Sequence, residues 1–191
     1  MKKRKIIIIG IIVIVIIITI VLGYFIKINI DKNNEEKLLM ERIKYLLESS
    51  YDYYYFTLGD VKTTEAFVEV DGERYYYVNE DEYKKIDDLI NLVENIFVPE
   101  KITNYISKIN DSHKYLQVDD KMYIKKNEEV CQVEYNVNYD NMNIEDIDDD
   151  TKLLTWDNNF TYIYLVNDKW YLSTEVFYCI DNTELNNLGE E

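Results

Sequence analysis

Residues 6–26 read IIIIGIIVIVIIITIVLGYFI, a stretch of sequence without a charged side chain. At about 1.5 Å per residue, a helix of this length covers roughly 30 Å, which is the thickness of the hydrocarbon core of a bilayer. Because lipid cannot satisfy backbone N–H and C=O groups, a segment that crosses it is helical even when it is rich in Ile and Val. The stretch therefore predicts a transmembrane helix.

The residues before this stretch predict its orientation. Residues 1–5, MKKRK, form a basic stub, and cations that precede a membrane helix favour a cytoplasmic N-terminus. The apolar block is longer than the core of a signal peptide, which has about 7–15 residues, and no small-residue cleavage motif follows it. We therefore expect an uncleaved, single-pass anchor in the cell membrane, with the C-terminal domain extracellular.

The charge of the chain narrows the classes of partner. The 191 residues include 37 acidic and 21 basic side chains, for a formal net charge of −16. Without the four cations of the stub, 17 basic and 37 acidic side chains remain, a charge of −20. Such a surface repels nucleic acid and anionic lipid head groups and attracts cationic partners. With one His and two Cys, the sequence predicts no metal and no cofactor.

Beyond the anchor, the sequence predicts one domain of the α+β class. Residues 27–34 read as a polar linker, residues 35–180 as an extracytoplasmic domain, and residues 181–191 as a polar tail. We expect about three helices and a single curved antiparallel sheet made of hairpins.

Local patterns place the elements of this domain. Apolar residues with helical spacing predict a first helix that starts near Glu35 and ends near Ser49, and further helices at 86–97 and from Pro99. Turn signals between strand-like runs predict three hairpins, at Asp71-Gly72, Asp119-Asp120 and Asn167-Asp168. Residues 130–139 alternate like a strand, and residues 140–150 read as a polar loop.

The sequence gives little support for a catalytic function. A nucleophile needs a nearby base, and His113 is the one imidazole of the chain. Cys131 and Cys179 lie on predicted strands, where a small buried side chain is the simpler explanation. The sequence therefore predicts no catalytic residue and no enzyme. A disulfide between Cys131 and Cys179 stays an open alternative for a domain outside the membrane.

The densest acidic run is NIEDIDDD, residues 143–150. A solvated loop is its simplest interpretation. A calcium loop is a second one, but Thr151 replaces the required Gly and a bidentate Glu is missing. A contact surface for a protein partner is the third, and it would use Glu145, Asp146, Asp148, Asp149 and Asp150. The aromatic run at 51–56 favours packing in the core and at its rim over sugar or partner binding.

The order of motifs in the middle of the chain resembles a known family. Tyr75-Tyr76-Tyr77-Val78 leads into the helix at 86–97, which is followed by Pro99-Glu100-Lys101-Ile102 and then by Lys121-Met122-Tyr123. This order resembles the IseA family, the secreted inhibitors of DL-endopeptidase autolysins in low-GC Gram-positive bacteria. The resemblance covers roughly residues 46–179, and no short motif carries family binding residues across.

The resemblance implies a non-catalytic, acidic protein that occludes the active-site cleft of an NlpC/P60-type peptidoglycan hydrolase. The chain departs from the family in its predicted anchor, which would confine inhibition to hydrolases near the membrane and raise the local concentration. The domain is also similar, more loosely, to NTF2-like and cystatin-like extracytoplasmic domains. That likeness implies a small-ligand pocket as one alternative, and an accessory subunit of an envelope complex is a further one.

Overall fold

In the computed structural model, the described residues are 2–59, 61–111, 113–126 and 135–177, and side chains are described from residue 19 onwards with the exception of residue 111. They form three α-helices, one short 3-10 helix and eight strands in two antiparallel sheets, which confirms the α+β class. Backbone contacts divide the chain into two compact units, Met1–Lys44 and Tyr45–Glu191.

The first helix, α1, spans Lys2–Leu58 without interruption. The predicted start near Glu35 and end near Ser49 are both wrong, and residues 27–34 are helical where a polar linker was expected. The sequence explains the continuity, because it contains neither Gly nor Pro between Gly23 and Gly59. Ion pairs one turn apart, Lys32–Glu36 and Lys37–Glu41 at 3.8 Å, add a little support on the surface.

The structure has no membrane-spanning candidate within its described part: no helix there is both long enough and apolar enough to cross a bilayer. Residues 6–18, most of the predicted membrane segment at 6–26, lie outside the range in which side chains are described.

The C-terminus of α1 is closed by a left-handed glycine and two side chains from the second hairpin. Gly59, with φ 81°, donates its N–H to the carbonyls of Tyr55 and Phe56 at 3.0 Å. Lys114 Nζ donates to the Thr57 carbonyl at 2.5 Å, and the Tyr115 hydroxyl donates to the Phe56 carbonyl. These bonds satisfy carbonyls that would otherwise have no partner at the end of a helix.

The first sheet contains two of the predicted hairpins, and both are confirmed. Its strands are β1 (Thr63–Val70), β2 (Glu73–Val78), β3 (Tyr115–Val118) and β4 (Lys121–Ile124), in the order β1-β2-β4-β3. Asp71 and Gly72 have φ values of 54° and 80°, which is the left-handed conformation that a two-residue hairpin turn requires. The hairpins join where Tyr77 of β2 pairs with Tyr123 of β4.

Two helices connect the hairpins, as predicted. Helix α2 spans Ile86–Ile96 and helix α3 spans Pro99–Asp111, with Pro99 at the first helical position. Oδ2 of Asp88 accepts hydrogen bonds from the backbone N–H groups of Lys84 and Lys85, at 2.8 and 2.9 Å, and so fixes the start of α2.

The strands form two separate sheets, whereas a single curved sheet was expected. The strands of the second sheet are β5 (Asn143–Asp148), β6 (Thr151–Trp156), β7 (Asn159–Val166) and β8 (Lys169–Leu172), in sequential order. The third hairpin, β7–β8, is confirmed. The predicted loop at 140–150 is wrong, because it contains a 3-10 turn, Tyr139–Asn141, and strand β5. Residues 135–138 are not a strand, and residues 130–134 lie outside the described range.

An aromatic core lies where α1 meets α2 and α3. Tyr53 contacts Phe97 and Tyr105 edge-on, at centroid distances of 5.5 and 5.8 Å, and Phe97 stacks on Tyr105 at 4.0 Å. Phe97 also bridges to Leu172 of β8, and the N–H of Val98 donates to the Leu172 carbonyl at 3.1 Å. The prediction that the aromatic run at 51–56 packs in the core is therefore confirmed.

Candidate functional site

The five acidic residues predicted to bind a partner lie on one exposed edge of the second sheet. Glu145, Asp146 and Asp148 belong to β5, and Asp149 and Asp150 form the turn into β6. All five are exposed. Because β5 pairs with β6 on one side, its other side is a sheet edge in the described part of the chain. We refer to these five residues as the acidic edge.

The backbone of β5 is not a regular edge. The pairing with β6 shifts register between Asp146 and Asp148, so Ile147 sits in an irregularity and is exposed. Bulges and charged side chains both discourage a further strand from adding to a sheet. The acidic composition of β5 therefore has a structural explanation, which is that it protects the sheet edge from pairing. This explanation does not require a partner.

Two of the acidic side chains make contacts that stabilise the sheet and its turn. The Asp146 carboxylate pairs with Nζ of Lys152 on the neighbouring strand, and Lys152 also lies 5.3 Å from the ring of Trp170. Oδ1 of Asp148 accepts the N–H of Asp150 at 2.9 Å and shapes the turn. Glu145, Asp149 and Asp150 are therefore the members best placed to meet a cationic partner.

The calcium-loop alternative does not fit this geometry. Asp150 and Asp157 lie at opposite ends of β6, which separates them by about 20 Å of extended chain. A calcium ion needs its ligands within about 2.3–2.6 Å of one point. Nowhere in the described ranges do three or more His, Cys, Asp or Glu side chains converge in a way that could hold a metal ion.

A second acidic surface was not predicted. Two hollows of about 410 and 480 Å3 adjoin each other and share Asp52, Glu82 and Tyr83 in their walls. Further carboxylates line one or the other, namely Glu48, Glu80, Asp81 and Asp88. We call this pair of hollows the acidic groove.

The centre of the acidic groove is the pair Asp52 and Tyr83, whose hydroxyl donates to Oδ2 of Asp52 at 3.1 Å. Burial raises the pKa of the Asp52 carboxyl above its ordinary value, and the charges of Glu82 and Glu80 raise it further. The hydrogen bond from Tyr83 acts in the opposite direction. Burial, followed by the charge of Asp52, raises the pKa of Tyr83 as well, so its hydroxyl keeps its proton.

Sequence reasoning missed the acidic groove because its residues come from three separate segments. Asp52 lies on α1, residues 80–83 lie on the connection from β2 to α2, and Asp88 opens α2. The one local signal was the run EDEY at 80–83, in which three acidic residues precede a tyrosine. Nothing in that run indicates that Asp52 lies opposite.

The remaining predicted residues do not form a site in the described structure. Cys131 and Cys179, the candidates for a disulfide, lie outside the described residues. His113 has a left-handed backbone with φ 48°, and its carbonyl accepts a hydrogen bond from the Tyr75 hydroxyl at 3.2 Å. The expectation that the chain is not an enzyme stays a prediction.

Comparison of the chain with models of known protein families and with curated proteins gives no match. The function is therefore inferred from the geometry and charge of the described surfaces and from the resemblance of residues 46–179 to the IseA family.

Proposed function

We propose that this chain is a membrane-tethered, non-catalytic binding protein whose extracellular domain inhibits or regulates a peptidoglycan DL-endopeptidase of the NlpC/P60 type. In this proposal, an acidic surface occludes the cleft of the hydrolase. The observation that carries the proposal is the acidic edge, where five carboxylates lie together, exposed, on one strand and its turn.

The exposed apolar residues of α1 support the membrane part of the proposal. Ile20, Leu22, Phe25 and Ile28 lie on different sides of the helix, and all of them are exposed. A helix that is apolar all round is stable when lipid or protein surrounds it, and it is unfavourable in water. In this proposal, the basic stub lies in the cytoplasm and the domain lies outside the cell.

The charge of the domain supports the binding part. Residues beyond the stub carry a formal charge of −20, so their field accelerates the approach of a cationic surface and disfavours anionic ones. The residues of the acidic edge are all exposed, so their carboxylates are accessible to the cleft of a hydrolase. Six carboxylates lie in the walls of the acidic groove, which agrees less well with the alternative of an apolar ligand pocket.

The test uses the full chain in nanodiscs and a purified NlpC/P60 endopeptidase. The triple variant Glu145→Lys, Asp149→Lys, Asp150→Lys changes the acidic edge but keeps Asp146 and Asp148, whose side chains stabilise the sheet and its turn. We expect binding and inhibition of the hydrolase by the wild-type chain at low salt, and a loss of at least about tenfold in affinity for the variant. Both should weaken as salt rises, because the attraction is screened.

The matched control places the same charge change on exposed helix residues of the same domain, in the triple variant Asp87→Lys, Glu94→Lys, Glu100→Lys. It should keep most of the inhibition. Equal losses in the two variants would assign the effect to net charge alone, and the acidic edge would lose its role. No binding by the wild-type chain at low salt would overturn the proposed function.

A further inference from the structure

The outer face of the second sheet carries a row of exposed aromatic rings. Phe160, Tyr162 and Tyr164 alternate along β7, and their exposed fractions are 68%, 36% and 36%. The intervening residues Thr161 and Ile163 are buried on the opposite face. An antiparallel sheet with one packed face normally presents polar side chains to water, so the aromatic composition of this outer face needs its own explanation.

A groove lies at the end of this row, where β7 begins and the chain leaves β8. Its volume is about 320 Å3, at the lower end of the ~300–1,000 Å3 that is usual for small-molecule sites. Amides, hydroxyls and two aromatic rings make up most of its wall, from Asn158, Asn159, Phe160, Thr161, Tyr162, Ser173, Thr174, Glu175 and Val176. We call it the amide groove.

The amide groove is close to neutral in a chain that is strongly acidic. Glu175 is the one charged residue in its wall, and Oε1 of Glu175 lies 2.6 Å from Nζ of Lys108. The charge of this carboxylate is therefore balanced from outside the groove. The amide groove, unlike the acidic edge, therefore has no net charge that would attract a cationic ligand.

The two rings of the amide groove form a corner. The centroids of Phe160 and Tyr162 are 6.4 Å apart, and the ring planes are inclined by 84°. Such a pair offers one ring face and one ring edge, so it does not form the flat platform that a crystalline polysaccharide surface would need. The corner suits a single non-planar ring that has an apolar side and a polar rim.

We propose that the amide groove binds a neutral saccharide. The C–H face of a pyranose ring packs on an aromatic face, and its hydroxyls both donate and accept hydrogen bonds, as side-chain amides and hydroxyls do. Asn158, Asn159 and Ser173 supply such groups around the corner. This binding is separate from the proposed contact of the acidic edge with a hydrolase.

The test is calorimetric titration of the full chain in nanodiscs, since detergents with sugar head groups would compete. The probes are tetramers of N-acetylglucosamine and of glucose, which are both neutral and differ in the acetamido group. We expect saturable binding of at least one probe, unchanged between low and high salt. Phe160→Ala should weaken it by about tenfold, because the ring face is lost.

The matched control is Phe67→Ala, which removes a phenylalanine that is 45% exposed on β1 of the other sheet. It should leave saccharide binding unchanged, and Tyr162→Ala should reproduce the Phe160→Ala loss. Absence of binding by both tetramers would overturn the proposal, as would equal losses in the Phe160 and Phe67 variants. Insensitivity to salt distinguishes this result from the proposed hydrolase contact, so either one can fail without the other.

Discussion

Asp52 is a carboxylate whose charged form is disfavoured by the fold. Burial raises its pKa, and Glu82, Glu80 and Glu48 add repulsion, while the Tyr83 hydroxyl donates one compensating hydrogen bond. A group that binds its proton more tightly in the native state than in the unfolded chain favours folding as the pH falls. The contribution of Asp52 to stability therefore decreases as the pH rises from 3.8 through its raised pKa.

Replacing Asp52 with Asn should stabilise the domain at pH 7. Asn keeps an acceptor for the Tyr83 hydroxyl and removes the charge, so we expect a gain of less than about 1 kcal/mol, since solvent screens a half-exposed group. The gain should shrink as the pH falls towards 3.8, because the wild-type carboxyl takes up its proton over that range. Thermal unfolding of the variant and the wild type at pH 7 and pH 4 measures the gain and its decrease. Asp87→Asn, an exposed change, is the control, and equal stability of the Asp52 variant and the wild type at pH 7 would contradict the argument.

Asp88 differs from Asp52, because its carboxylate stabilises the fold. It accepts two backbone N–H groups at the start of α2, so Asp88→Ala should cost about 1–2 kcal/mol in the free energy of unfolding. Asp87→Ala removes a carboxylate from the same first turn and should cost only the smaller interaction with the helix dipole, a few tenths of a kcal/mol. Chemical denaturation of the two variants compares them, and similar losses would show that the backbone bonds contribute little.

The end of α1 depends on one residue with a left-handed backbone. Gly59 allows the chain to leave the helix while its N–H still closes the last turn, and the side chains of Lys114 and Tyr115 occupy the neighbouring carbonyls. The second hairpin is in this way tied to a helix that precedes it by more than 50 residues. The strand-bearing part of the domain and α1 therefore stabilise each other.

Gly59→Ala should destabilise the domain by about 1 kcal/mol, because a residue with a Cβ atom is strained at φ 81°. Gly23→Ala provides the contrast in the interior of α1, since a Cβ atom at position 23 meets nothing within 4 Å. We expect no loss of stability for the Gly23 variant. Unfolding of both variants in nanodiscs by urea gives the comparison, and an unaffected Gly59 variant would mean that the turn adapts at little cost.

Exposed apolar side chains and acidic side chains are concentrated in different parts of the sequence. Exposed apolar side chains follow one another along α1 from Ile20 to Ile30, whereas the carboxylates are concentrated further along the chain. In the proposed function the apolar part is the membrane anchor and the acidic part is the binding domain. The proposal therefore requires that the acidic part lies outside the cell.

Protease treatment of whole cells tests that orientation. If the basic stub is cytoplasmic, trypsin added outside should remove the region after residue 27 and leave a small fragment in the membrane. A cytoplasmic protein serves as the control and should remain intact. Digestion that occurs only after lysis would place the domain inside the cell, and the proposed inhibition of a wall hydrolase would then be wrong.

The hairpins and the two short helices could be predicted because their signals are local. Asp71-Gly72 and Asn167-Asp168 need left-handed backbones that few residue pairs adopt, and Pro99 both ends one helix and begins the next. These preferences act within a few residues, so they do not depend on the rest of the fold. The acidic composition of residues 145–150, and hence the candidate contact surface, could be predicted for the same reason.

Strand β5 and the two grooves could not be predicted, because they arise from pairing and packing between distant segments. The sequence NIEDID has poor strand propensity, and β6 supplies the hydrogen bonds that make it extended. Asp52 becomes unusual only when residues 80–83 pack beside it, and Phe160 belongs to a groove only when the chain after β8 returns to it. A side chain's burial, its partners and its pKa are set by neighbours in space, and spatial neighbours are settled when the strands pair and the helices pack.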